Sequence, residues 1–92
     1  QRGRATISKF RIRSDEHRRS LAERLRQARK ESGLSQVEAA ANLGIEQSII
    51  SRIETAERDV TVPELMTLAE LYGVPASKLL EPVQSASSRP DQ

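Results

Sequence analysis

One short segment, residues 36–54, constrains the fold more than any other part of the chain. It reads QVEAAANLGIEQSIISRIE, with helical spacing of apolar residues on both sides of Gly44. A connection of about three residues between two helices forces a large angle between them. Such a crossing needs a small residue, which Ala40 supplies, and apolar side chains on the inner faces of both helices, which are Leu43, Ile45, Ile50 and Ile53. The segment therefore predicts two helices that meet at a sharp angle.

Signals for helix ends divide the rest of the chain. The runs SQVE at 35–38 and TVPE at 61–64 are capping boxes, whose first and last residues each satisfy a backbone N–H group of the other. Ser14 is expected to cap the first helix, which ends before Gly33. The predicted helices cover approximately residues 15–32, 36–43, 47–55, 62–72 and 76–80.

The composition favours packed helices over sheets. Phe10 and Tyr72 are the only aromatic residues, so the core has to be built from Leu, Ile, Val and Ala. We expect an all-α, five-helix domain over residues 14–81. Residues 1–13 are predicted to form a flexible basic arm, with an intermolecular β-strand as the alternative. Residues 82–92 have too little apolar content to fold and predict a flexible, disordered tail.

Charge is distributed unevenly along the chain. Residues 1–30 contain eleven Lys and Arg against three acids, whereas residues 31–92 contain four against ten. Arginine suits bidentate contacts with phosphate and guanine, so a basic end on a small helical domain indicates nucleic acid. A solvated basic tail is the alternative explanation of the same charges.

Several classes of function are not expected. The chain has no cysteine and a single histidine, His17, so we predict no disulfide, no metal site and no cofactor. No nucleophile–base pair or paired carboxylates can be recognised, so we predict neither an enzyme nor a small-molecule substrate. No apolar run reaches the length of a membrane span, and the predicted location is the cytoplasm.

The motifs of residues 21–80 resemble a known family. LRQARKESGLSQ at 25–36, NLGI at 42–45, IISRIE at 49–54 and LAELYGVPASKLL at 68–80 are similar to the helix-turn-helix domain of phage repressors, the Cro/C1 or XRE-like class. The resemblance implies a five-helix, lambda-repressor-like fold. It also implies binding of operator DNA as a dimer, with bases read by the third helix.

Helical geometry identifies the exposed side of that third helix. With Ile50 and Ile53 facing inward, a step of about 100° per residue turns Ser48, Ser51, Arg52 and Thr55 outward, and Gln47 lies on the first exposed turn. Glutamine can pair with adenine and arginine with guanine in the major groove. An ordinary solvated helix face is the alternative. Ile49 lies between the two faces, where we favour packing over contact with a thymine methyl group.

The resemblance implies specific roles along the chain. Gln47, Ser48 and Arg52 match base-reading positions, and Ser51 and Thr55 are candidates for base or backbone contacts. The positions that match phosphate contacts are Ser35, Gln36 and Arg58. Arg29 and Glu54 match a partly buried ion pair. Two departures are Glu46, where the family often has Ser or Thr, and Thr55-Ala56, where it often has Asn-Gly.

The function predicted from the sequence is a sequence-specific, double-stranded DNA-binding transcriptional regulator. We expect a homodimer on a palindromic operator, with the third helix in the major groove. The alternative is an antitoxin-like or other protein-interaction module with the same fold, which an exposed apolar patch on the outer helices would favour.

Overall fold

The computed structural model describes the backbone of residues 2–81 and the side chains of residues 13–81. Within this backbone there are five helices and no β-strand, which confirms the all-α prediction. The helices are α1 (Arg2–Glu31), α2 (Gln36–Leu43), α3 (Gln47–Glu54), α4 (Val62–Tyr72) and α5 (Ala76–Leu79). The predicted tail at 82–92 lies outside the described residues.

The start of α1 corrects the sequence-based prediction. The helix begins at Arg2 rather than near Asp15, so Ser14 lies inside the helix and caps nothing. The backbone of residues 2–13 is helical, not the strand that was the alternative. A serine can cap a helix but can also lie within one, and no proline precedes Ser14 to break the helix. A role of this basic segment on DNA stays a prediction.

The core is aliphatic, as the composition requires. Leu25, Ile50 and Leu79 are its most completely buried large side chains, and the ring of Tyr72 is buried with them. Ala39 and Ala40 of α2 are 0% and 3% exposed, which allows α2 and α3 to approach closely. Because each apolar stripe faces the same interior, the helices bury one shared core and leave the other side of α3 outside it.

Left-handed residues end four of the helices, α1 to α4. Gly33, Gly44 and Gly73 have φ of +84°, +70° and +72°, and Ala56 reaches +65° two residues after α3. The amide of Glu57 donates to the carbonyl of Arg52 at 2.8 Å, which closes the turn in the same way as after α2. The chain thus makes the tight turn after α3 with alanine instead of glycine.

Candidate nucleic-acid interface

The side of α3 that faces away from the core is polar. Gln47, Ser48, Arg52 and Thr55 are exposed, whereas Ile50 and Ile53 are buried, as helical geometry predicts. Ser51 is only half-buried and stands at the edge of this face. The face therefore combines hydroxyl, amide and guanidinium groups on one short helix.

A buried ion pair holds α3 against α1. Arg29 Nε lies 2.6 Å from Glu54 Oε2, and Arg29 Nη2 donates to Glu54 Oε1 at 3.0 Å. The remaining nitrogen, Nη1, donates to the carbonyl of Leu34 at 2.8 Å, so the guanidinium also fixes the α1–α2 connection. The hydrogen bonds that Arg29 donates to Glu54 raise the pKa of Arg29 above its usual value. Burial, aided by the charge of Glu54, raises the pKa of nearby Tyr72 to about 12.

A chain of amide groups leads from this ion pair to the polar face of α3. Gln36 Nε2 donates to Glu54 Oε1 at 3.0 Å, and Gln47 Nε2 donates to Gln36 Oε1 at 2.9 Å. The bond to Glu54 directs the amide nitrogen of Gln36 toward the buried ion pair. The amide oxygen of Gln36 then faces Gln47. The sequence singled out both glutamines separately but did not show that they touch. They lie on different helices, so periodicity along a single helix cannot show the contact.

Arg58, a predicted phosphate contact, is paired with a carboxylate in the structure. Its Nη1 and Nη2 lie 3.1 and 2.9 Å from the two oxygens of Glu64, and Nη1 also donates to the carbonyl of Asp59. The Arg58 hydrogen bonds and the Thr61 backbone N–H lower the pKa of Glu64 to about 2. The sequence identified Glu64 as a capping residue and missed this second role. A phosphate would have to compete with Glu64 for the guanidinium.

The connection that carries Arg58 is also tied to α1. Arg18 Nη1 lies 3.1 Å from Asp59 Oδ1, and its Nη2 lies 2.5 Å from Asp15 Oδ1. The Asp59 side chain is 83% exposed, so this link is a surface ion pair of small energetic value.

The caps of α2 and α3 differ. Ser35 accepts a hydrogen bond from the Glu38 amide at 3.0 Å, and Glu38 in turn accepts from the Ser35 amide at 2.9 Å. The Ser35 hydroxyl can still donate its proton, which is what contact with a phosphate requires. Glu46 has the backbone geometry of a cap, but its side chain makes no capping hydrogen bond.

An apolar cleft of about 270 Å³ lies between α3 and α4. Ile49 contributes to its wall and packs against the core, which confirms the packing interpretation of this residue. On α4, Val62 and Met66 do not line this cleft and are 69% and 56% exposed.

Two further features are absent from the described part of the chain. Residues 13–81 contain no cluster of three or more His, Asp or Glu side chains that could hold a metal ion. None of the helices described is long and apolar enough to span a membrane.

Comparison with known proteins decides the family. A model of the helix-turn-helix domain family matches residues 20–81. This chain belongs to the helix-turn-helix family. The match includes all of α2 to α5 and the part of α1 that packs on them. It confirms the resemblance to the XRE-like class that the motifs indicated.

Two curated helix-turn-helix regulators are similar in sequence. The HTH-type transcriptional regulator ImmR of Bacillus subtilis is 39% identical over 61 residues, which is 66% of this chain and 48% of ImmR. The HTH-type transcriptional regulator PrpR of Mycobacterium tuberculosis is 40% identical over 53 residues, which is 58% of this chain and 11% of PrpR. The chain thus matches less than half the length of either regulator.

Two solved structures are similar in fold and sequence. The DNA-binding domain of BldD aligns with a TM-score of 0.67 and 32% identity, over 73% of this chain and 97% of that domain. The restriction-modification controller protein C.AhdI from Aeromonas hydrophila aligns with a TM-score of 0.62 and 28% identity, over 66% of this chain and 88% of C.AhdI.

Proposed function

We propose that this helix-turn-helix protein is a sequence-specific transcriptional regulator that binds double-stranded DNA as a homodimer. In this proposal α3 enters the major groove of each half of a palindromic operator. The observation that carries it is the polar face of α3, whose Gln47 is positioned by a hydrogen-bonded chain that begins at a buried ion pair. The cytoplasmic location predicted from the sequence belongs to the same proposal.

The hydrogen bond to Gln36 suits Gln47 for reading adenine. A side-chain amide has two N–H donors and one oxygen. Gln36 takes one donor of Gln47 and leaves one donor and the oxygen, which are the groups needed for adenine N7 and N6. Because Gln36 itself is tied to Glu54, the orientation of the Gln47 amide is set before DNA arrives. Such preorganisation reduces the entropy lost on binding.

The other side chains of the proposed interface contact either bases or phosphates. Arg52 is exposed on the same face and offers a guanidinium for the O6 and N7 atoms of guanine, with Ser48 beside it. Ser51 and Thr55 stand at the edge for base or backbone contacts. Ser35, Gln36 and Arg58 are assigned to phosphates, which fix the position of α3 but carry no sequence information.

A random-library binding selection with the purified protein, at stated salt concentration, tests the proposal. We expect a two-fold symmetric consensus whose half-sites are separated by one helical turn of DNA, about 34–36 Å. Light scattering of the complex should give two protein chains per duplex. A consensus without symmetry, bound by one chain, would refute the dimer but keep sequence-specific binding. No enrichment over the starting library would refute the whole proposal.

A protein-interaction module of the antitoxin type is a second candidate, favoured by the exposed Val62 and Met66. These residues lie one helical turn apart on α4, and apolar neighbours on a surface are typical of binding sites. Under this hypothesis Met66→Lys abolishes copurification of a defined protein partner and leaves DNA binding unchanged. If the protein is only a DNA-binding regulator, no such partner copurifies with the wild-type protein or with Met66→Lys.

A further inference from the structure

The N-cap residue of α3 differs from those of α2 and α4. Ser35 and Thr61 accept hydrogen bonds from the amides of Glu38 and Glu64 at 3.0 and 3.2 Å, in complete capping boxes. Glu46 has the same extended backbone, with φ −80° and ψ 146°, yet its carboxylate caps nothing. Among these three helices, α3, which carries the polar face, is the one whose N-cap side chain makes no capping hydrogen bond.

The position of Glu46 is unusual for a negative charge. It is exposed and directly precedes Gln47, so it lies at the end of α3 that the proposed function inserts into the groove. DNA phosphates repel a carboxylate, and a serine would cap the helix better. When a residue at a binding face makes no local stabilising hydrogen bond, a role in that binding is indicated.

The chemistry of the major groove limits what this carboxylate can bind. A carboxylate only accepts hydrogen bonds, and the donors on base edges are the exocyclic amines of cytosine and adenine. Glutamate pairs with cytosine N4, whereas adenine is the partner of an amide side chain. Guanine O6 and N7 and thymine O4 are acceptors, so they would repel the carboxylate.

We propose that Glu46 is a specificity-determining residue that selects a cytosine beside the base read by Gln47. This inference rests on the proposed function. The carboxylate accepts a hydrogen bond from cytosine N4 and rejects guanine and thymine at the same position by repulsion. Its selectivity thus comes from penalising wrong sites as well as from binding the correct one.

The experiment repeats the random-library selection with the wild-type chain, Glu46→Gln, Glu46→Ser and Glu70→Gln. Glu70 is an exposed glutamate on α4, so its substitution is a control for the change in net charge. The wild-type chain should prefer cytosine at one position of each half-site by roughly 5- to 150-fold in titrations. Thermal unfolding of each variant verifies that it is folded.

The Glu46 variants should change the base preference at that one position of the half-site and leave the preferences at the other positions unchanged. Glu46→Ser should bind all four bases there within about threefold, and Glu46→Gln should shift the preference toward adenine. Glu70→Gln should keep the wild-type consensus. If Glu46→Ser retains the wild-type preference, even with tighter binding to every sequence, Glu46 only repels phosphates and the inference is wrong. A wild-type chain that selects no site overturns the proposed function and this inference together.

Discussion

Two bidentate arginine–glutamate pairs flank the turn after α3, and they differ in burial. The side chains of Arg29 and Glu54 are 9% and 2% exposed, whereas those of Arg58 and Glu64 are 33% and 38% exposed. Water cannot replace a lost partner in the first pair, but it can in the second. A bidentate geometry alone therefore does not show what an ion pair does. The buried pair is suited to hold α3 in place, and the exposed pair to exchange one partner for a phosphate.

The largest expected effect is on stability, from breaking the buried pair. Glu54→Gln leaves the guanidinium of Arg29 as an uncompensated buried charge, which costs about 3–5 kcal/mol of the free energy of unfolding. Urea unfolding of wild type and variant measures the difference. Glu64→Gln is the matched control, because the same chemical change at the exposed pair should cost less than about 1 kcal/mol.

A double substitution shows whether this cost comes from the unpaired charge. Arg29→Met with Glu54→Leu removes both charges and keeps similar volume, so most of the lost stability should return. If Glu54→Gln costs no more than Glu64→Gln, burial does not distinguish the energies of the two pairs.

The second effect separates base reading from anchoring. Arg52→Ala should cost about 1–3 kcal/mol on the selected site and much less on scrambled DNA. Arg58→Ala should weaken both by a similar factor and lower the slope of the salt dependence by about one. Titrations on specific and scrambled duplexes at two salt concentrations measure these quantities. Unchanged affinity and selectivity of Arg52→Ala would exclude Arg52 as a base reader.

The third effect concerns the turn that joins the two pairs. Ala56 adopts φ +65°, a conformation that costs an L-residue about 1–2 kcal/mol and glycine little. Glycine loses more backbone entropy on folding, which offsets part of this gain. Ala56→Gly should therefore stabilise the protein by a net amount of about 0.5–1 kcal/mol. Thermal unfolding measures the gain. Gly73→Ala is the reverse test at a glycine of similar φ, and it should destabilise. A destabilised Ala56→Gly would mean that the methyl group of Ala56 contributes packing that outweighs the backbone strain.

The smallest effect is the pH dependence of the exposed pair. Arg58 holds the pKa of Glu64 at about 2 in the folded protein, below its ordinary value of 4.5. A lowered folded pKa means that this stabilisation is present above about pH 4.5 and is lost as pH falls toward 2. Because the pair is screened by solvent, we expect about 0.2–1 kcal/mol. The stability difference between wild type and Glu64→Gln, measured by urea unfolding, should shrink over that range. A difference that stays constant down to pH 2 would show that the pair contributes nothing.

Much of the fold could be predicted from local patterns. The capping boxes at Ser35 and Thr61 and the left-handed residues Gly44 and Gly73 mark helix ends within one residue of their observed positions. These signals depend on hydrogen bonds between residues a few positions apart, which a sequence shows directly. The start of α1 could not be predicted in the same way, because Ser14 can cap a helix but does not have to.

The candidate site was predictable in its members but not in its contacts. The spacing of apolar residues is enough to predict that Gln47 and Arg52 are exposed on α3. The pairing of Arg29 with Glu54 could be predicted only from the family resemblance. Neither showed the hydrogen bonds that Gln36 makes with Glu54 and Gln47. No pattern in the sequence indicates that Arg58 pairs with Glu64.

The sequence by itself therefore determined where α2 to α5 lie and which faces of them are apolar, since helix ends and periodicity depend on neighbours along the chain. Only the tertiary structure decided which charged and polar groups meet. Arg29 and Glu54 are 25 residues apart, and Gln36 and Glu54 are 18 apart, so their contacts depend on how the helices pack. A surface arginine has several carboxylates within reach, and pairing energies of about 0–1 kcal/mol do not select one in advance of the fold.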